Sequence, residues 1–127
     1  MNHVIAIAIG GAAGSVLRYW MSTAVYHSLG RTFPYGTLAV NILGCLLMGV
    51  LFVVFTGRGT GDGVLRAGIL IGVLGGFTTF SAFSMETLIL IEEGALLKAL
   101  LNMAASLILC IVATWAGVVM ARYAMAQ

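Results

Sequence analysis

Apolar residues along this chain fall into four long runs, each ended by a short cluster of polar, glycine or proline positions. The first run starts at about Val4 and reaches the mid-twenties, where Tyr26, His27, Ser28 and Gly30 close it. Arg31 and the only proline, Pro34, follow, and a proline suits the start of the next helix. The second run extends from about Gly36 to Phe55, and Gly57-Arg58-Gly59-Thr60-Gly61-Asp62-Gly63 reads as a flexible turn. A third run begins near Val64 or Leu65 and reaches Glu92. Glu92-Glu93-Gly94 makes the last connection, and the fourth run extends from about Leu96 to Tyr123. A membrane-spanning helix needs about 20 consecutive, mostly apolar residues. The pattern therefore predicts an all-α membrane protein, one domain over residues 1–127, with four spans at about 4–26, 36–55, 65–92 and 96–123.

Composition removes the competing classes. Hydrophobic residues make up 61% of the 127 residues and charged residues 8%, with a mean hydropathy of +1.12. Soluble domains are about 45–50% apolar and about 25% charged. Four spans and their turns leave no space for a separate catalytic domain. Met1-Asn2-His3 lacks the basic start of a secretory signal, so the first run is expected to stay in the final protein. Cys45 and Cys110 lie inside predicted spans, form no C-x-x-C pair, and read as small packing residues. A net charge of +2 without any basic run gives nothing to track nucleic-acid phosphates.

Glycine spacing and charge placement speak to packing and orientation. Gly10 and Gly14, and then Gly68, Gly72 and Gly76, recur every four residues and put bare backbone on one helix face for a close neighbour. Arg58, Arg66 and Arg122 fall on the side of the N-terminus, Arg31 and Lys98 opposite, and Arg18 deep in the far half of the first span. Cytoplasmic loops normally hold the excess of Lys and Arg, and here the excess is nearly nil. Two readings fit: ordinary insertion on a weak signal, or insertion both ways with pairing of opposed copies.

Polar groups at membrane depth are expensive, about 2.5–3.5 kcal/mol for a charge at a span centre on insertion scales, so they mark candidate working parts. Asn41 lies within the second span; its amide either bonds a neighbouring helix or donates to an anion. Asn102, Ser106, Cys110 and Thr114 recur every four residues in the last span and form one slowly drifting stripe, either a helix–helix contact or the wall of a polar path. Gly75-Gly76-Phe77-Thr78-Thr79 is poor material for an unbroken helix, so the third span is expected to break there. Freed carbonyls at such a break can coordinate a cation. Phe80 and Phe83, three apart, share a face with Ser84, Glu86 and Thr87 close by. Phenylalanines in a span ordinarily face lipid or core, yet an aromatic ring has a positive edge that can face an anion. Glu86 lies about 9 Å along the axis from Glu92; it could be protonated, bond the polar path, or reach the interface. Arg18 could snorkel to headgroups, tie helix ends together, or gather anions at a pore mouth.

At these residues the whole chain resembles a known family, the small fluoride channels called Fluc or CrcB. Three segments carry the likeness, in order. They are Gly10-Gly11-x-x-Gly14-x-x-x-Arg18-Tyr19-Trp20, then Gly36-Thr37-Leu38-Ala39-Val40-Asn41, then Gly75-Gly76-Phe77-Thr78-Thr79-Phe80-Ser81-Ala82-Phe83-Ser84-Met85-Glu86-Thr87. The resemblance implies a prokaryotic inner-membrane protein that pairs as an antiparallel homodimer, with two opposed pores and one central Na+. It implies that backbone carbonyls of Gly75 and Thr78 hold the sodium, and that ring edges of Phe80 and Phe83 line the fluoride path. It further implies that Asn41 is the pore amide, with Thr37, Ser84, Glu86, Ser106 and Cys110 at or near polar-track positions and Arg18 in a structural or vestibule role. Cys110 stands where the family often has serine, and Asn102 where some members have tyrosine. The implied function is passive fluoride export, with fluoride, the lipid bilayer and a second copy of the chain as partners.

Three rival classes fit the sequence less well. A small multidrug exporter also has four spans in about this length, but such proton exchangers are built around an acidic residue in the first span, and none stands here. A structural subunit fits the composition yet leaves Asn41, Phe80 and Phe83 unexplained. An enzyme lacks its motifs: there is no H-E-x-x-H, no triad candidate, and no G-K-[S/T] in the glycine-rich turn.

Overall fold

The computed structural model describes residues 2–57 and 63–127, all in or next to helices. Helix α1 covers Asn2–Leu29 and α2 covers Tyr35–Gly57. The third span is composite: α3 (Gly63–Arg66), a π-helical stretch (Ala67–Val73), α4 (Leu74–Phe77), two extended residues, and α5 (Phe80–Glu92). Helix α6, Leu96–Met125, is the fourth span. All four spans are long and apolar enough to cross a bilayer. Most of the glycine-rich turn expected at Gly57–Gly63 lies outside the described residues, with Arg58 among them.

Helix ends follow from local chemistry. Gly30 and Gly94 adopt φ of 80° and 75°, the left-handed region that costs glycine nothing. Gly94 N donates to Ile91 O at 3.0 Å and Ala95 N to Leu90 O at 2.8 Å, the paired bonds that satisfy the last carbonyls of a helix. Pro34 immediately precedes α2, where its missing N–H leaves no helical bond unmade.

Glycine faces set the packing. A Cβ on Gly10 would overlap the Gly68 carbonyl oxygen, and one on Gly14 the Val73 carbonyl oxygen. Reciprocally, Gly72 and Gly76 lie against the Ile7 and Gly11 carbonyls, so α1 is pressed onto the π-helical stretch backbone to backbone. Successive spans are antiparallel, which makes α2 and α6 parallel. They meet through Gly49 against the Thr114 carbonyl and Gly117 against the Leu46 carbonyl. Small residues at such contacts gain dispersion energy where no hydrophobic drive exists between helices.

The interior is small. Val40 and Asn102 are the largest fully buried side chains, while Phe80, Trp115, Leu107 and many other large apolar residues stand open on the single chain. In a bilayer those faces meet lipid or another copy.

Candidate functional site

The site grows from the interruption of the third span. Thr78 (φ −77°, ψ 156°) and Thr79 (φ −151°, ψ 118°) are extended between α4 and α5. Gly75 and Gly76 remain helical; the hydroxyl pair, not the glycine pair, leaves the helix. Backbone groups freed inside a membrane need partners, and side chains supply them. Asn41 of α2 donates from Nδ2 to Thr79 O at 2.9 Å and accepts from Thr79 N at 2.8 Å, pairing both peptide groups as a neighbouring strand would. Thr78 Oγ1 donates to Leu74 O at 2.9 Å. Thr79 Oγ1 accepts from Ala82 N at 3.2 Å, the N-cap bond for α5.

Gly75 and Thr78 are among the carbonyls that lose their usual helical donors in this arrangement. The amide four residues beyond Gly75 is that of Thr79, which turns to Asn41. The amide four beyond Thr78 is that of Ala82, which turns to the Thr79 hydroxyl. Gly75 is exposed on the single chain, and a Cβ there would meet nothing within 4 Å.

Beside the interruption, α2, α5 and α6 enclose a groove of about 580 Å³. Asn41, Cys45, Thr78, Thr79, Phe80, Phe83, Ser106, Cys110 and Thr114 all line it. The Phe80 and Phe83 rings lie 5.1 Å apart at 48°, and Phe80 is 78% exposed, so its ring stands free at the groove. The groove's polar atoms belong to neutral side chains and backbone. Such groups can bind an ion weakly without holding it as an opposite charge would.

A second cavity of about 320 Å³ lies on the other side of Thr79, among α1, α2 and α5. Here are Arg18, Tyr26, Thr37 and Glu86. Glu86 Oε1 accepts from the Tyr26 hydroxyl and from Thr37 Oγ1, both at 2.8 Å, while Oε2 is buried with no hydrogen-bond partner. Thr79 borders both cavities.

The residues singled out in sequence thus fall into groups. Asn41, Phe80, Phe83, Ser106 and Cys110 converge on the groove; Thr37, Glu86 and Arg18 gather in the second cavity. Ser84 belongs to neither, and its hydroxyl donates to Phe80 O at 2.9 Å. The stripe on the last span divides: Ser106, Cys110 and Thr114 face the groove, but Asn102 is 1% exposed and donates to Thr87 Oγ1 at 2.9 Å. Asn102 joins α6 to α5, the contact reading left open above. Tyr26, read in the sequence only as a helix end, holds Glu86. Its signal was the run Ser15, Arg18, Ser22 and Tyr26, spaced three or four apart on one face of α1, all bordering the second cavity.

Four apolar spans around a groove at the interruption define a multi-pass membrane protein. The chain belongs to the CrcB family, whose model, "CrcB-like protein, Camphor Resistance (CrcB)", matches residues 5–118. Among its relatives, the "Fluoride-specific ion channel FluC" of Methylococcus capsulatus is 52% identical over 119 residues, 94% of this chain. This chain spans about half of that relative, 52% of its length. The protein of the same name from Magnetococcus marinus is 52% identical over 116 residues, covering 91% of this chain and 94% of its own. That from Geobacter sulfurreducens is 48% identical over 122 residues, covering 96% and 98%.

Proposed function

We propose that the chain is a fluoride-selective channel, not an enzyme, which lets fluoride leave the cell passively and so protects against fluoride toxicity. Hydrogen fluoride crosses membranes uncharged and dissociates inside, and the trapped anion needs only a path outward. One observation carries the reading: a groove at membrane depth, lined by Asn41, Ser106, Cys110, Thr114 and the rings of Phe80 and Phe83, in a chain whose close relatives bear that name. A bare ion in hydrocarbon is prohibitive. Fluoride is compact and strongly hydrated, so hydroxyls, an amide and ring edges must replace its water a few at a time. Several weak sites in a narrow path allow both entry and exit, and chloride is excluded by size.

In this reading Thr37 and Glu86 continue the polar track beyond Thr79, Ser84 offers its hydroxyl from outside both cavities on the exposed face of α5, and Arg18 raises the local anion concentration in the second cavity. The working unit is an antiparallel homodimer with two opposed pores. The nearly balanced arginines and lysines and the open face around Gly75 and Phe80 support it. The carbonyls of Gly75 and Thr78, released from their usual helical donors by Asn41 and Thr79, are suited to a hard cation that prefers oxygen ligands. Both carbonyls from each copy would surround a structural Na+ at the centre, where its charge fixes the pairing and neutralises carbonyl dipoles.

Liposomes holding the purified protein test the function. Fluoride release on adding a potassium ionophore, with chloride retained, is the expected result; vesicles that keep both anions would end the proposal.

A further inference from the structure

We infer that Cys45 and Cys110 form a binding site for a soft, two-coordinate metal cation, and that filling it closes the groove. The site follows from helix geometry. On the parallel helices α2 and α6, Gly49 meets Thr114, and Cys45 and Cys110 each stand four residues, about one turn, earlier. The two side chains therefore stand about one turn from the same backbone contact, on neighbouring helices. Both are free cysteines, partly exposed, and both line the groove. Access and proximity are thus met together, about one turn from the Gly49–Thr114 contact of α2 and α6.

Ligand chemistry selects the ion. Thiolate sulfur favours soft metals. Among the described residues no third histidine, cysteine or carboxylate joins the pair. Zinc, which takes four ligands in its structural sites, is poorly served by two. Ions content with two collinear sulfurs are well served, and a divalent one has a further advantage. Binding Hg(II) forms two metal–sulfur bonds, releases one proton from each thiol, and changes no oxidation state. The product carries no net charge, so it sits in an apolar groove without the penalty of a buried ion. It would lie between Asn41 and Thr114 on the groove wall, across the course that the proposed function gives to fluoride.

Closure rests on that functional reading; binding does not, and two measurements separate them. In detergent, the protein is titrated with mercuric chloride alone, and a small monothiol competitor is added only afterwards. One mercury per chain and two protons per mercury are expected. Cys45→Ser and Cys110→Ser should each retain mercury at least tenfold less well against the competitor. Wild type that yields its mercury as readily as either variant would overturn the site. In vesicles, fluoride efflux of wild type should fall at least tenfold with mercury and recover with excess dithiol. For Cys45→Ser, the fall relative to its own metal-free rate should be less than twofold. Bound mercury with undiminished efflux would overturn closure, and no efflux before metal is added would count against the channel reading alone.

Discussion

Replacing Asn41 by alanine removes the one side chain that pairs both peptide groups of Thr79. Thr79 is 8% exposed, so water does not easily take over. The two bonds lost measure 2.9 and 2.8 Å. Each orphaned, buried backbone group costs about 1–3 kcal/mol, which puts the expected loss at about 2–6 kcal/mol. Folded proteins hold only about 5–15 kcal/mol in all, so the change should be plain in equilibrium unfolding at fixed protein and detergent concentration. The damage should also be local, with the Thr79 amide exchanging hydrogen much faster than in wild type. Asn41→Asp is the informative companion. It keeps an acceptor for Thr79 N but sets an oxygen against Thr79 O, so stability should fall without full loss of protection at that amide. An alanine variant that unfolds with wild type and keeps the Thr79 amide protected would refute the clamp.

Other outcomes follow from the same geometry. Phe80→Ile or Phe83→Ile should cut fluoride efflux at least tenfold while leaving the assembly intact on size-exclusion chromatography; unchanged efflux in both would remove the ring edges from the pathway. Tyr26→Phe deletes one of the two donors to Glu86 Oε1 and should lower stability by about 1–3 kcal/mol, read by the same unfolding assay. Gly14→Ala drives a methyl into the Val73 carbonyl, where backbone must move, and should cost about 1–3 kcal/mol. Gly75→Ala meets open space and gains helix propensity of up to about 1 kcal/mol; the fold of the single chain should survive it, and any loss should show in pairing of copies.

The four spans were plain because hydropathy at this level allows few other solutions: expected ends at 4–26 and 36–55 extend to Asn2–Leu29 and Tyr35–Gly57. Polar residues at depth could be listed, since a membrane makes each one an exception. Their partners could not, because a helix of known length has no known rotation. Asn41 is the clearest case: as an amide in a span it was open to a neighbour or an anion, and one N–H and its oxygen go to Thr79. Thr37 and Asn41, one turn apart on α2, border different cavities. Asn102 shares a sequence stripe with Ser106 but turns inward, since a four-residue repeat drifts around a helix of 3.6 residues per turn. The π-helical stretch at Ala67–Val73 left no signal beyond its glycines; its form is bound up with the backbone contact to Gly10 and Gly14.

The most direct test is the reversal potential of the purified protein in a planar bilayer, with a fluoride gradient across it and chloride and pH equal on both sides. A current that reverses at the fluoride equilibrium potential, and follows it as the gradient is changed, is the predicted result. A current that reverses at zero, or moves with an imposed chloride or proton gradient instead, would contradict a path selective for fluoride.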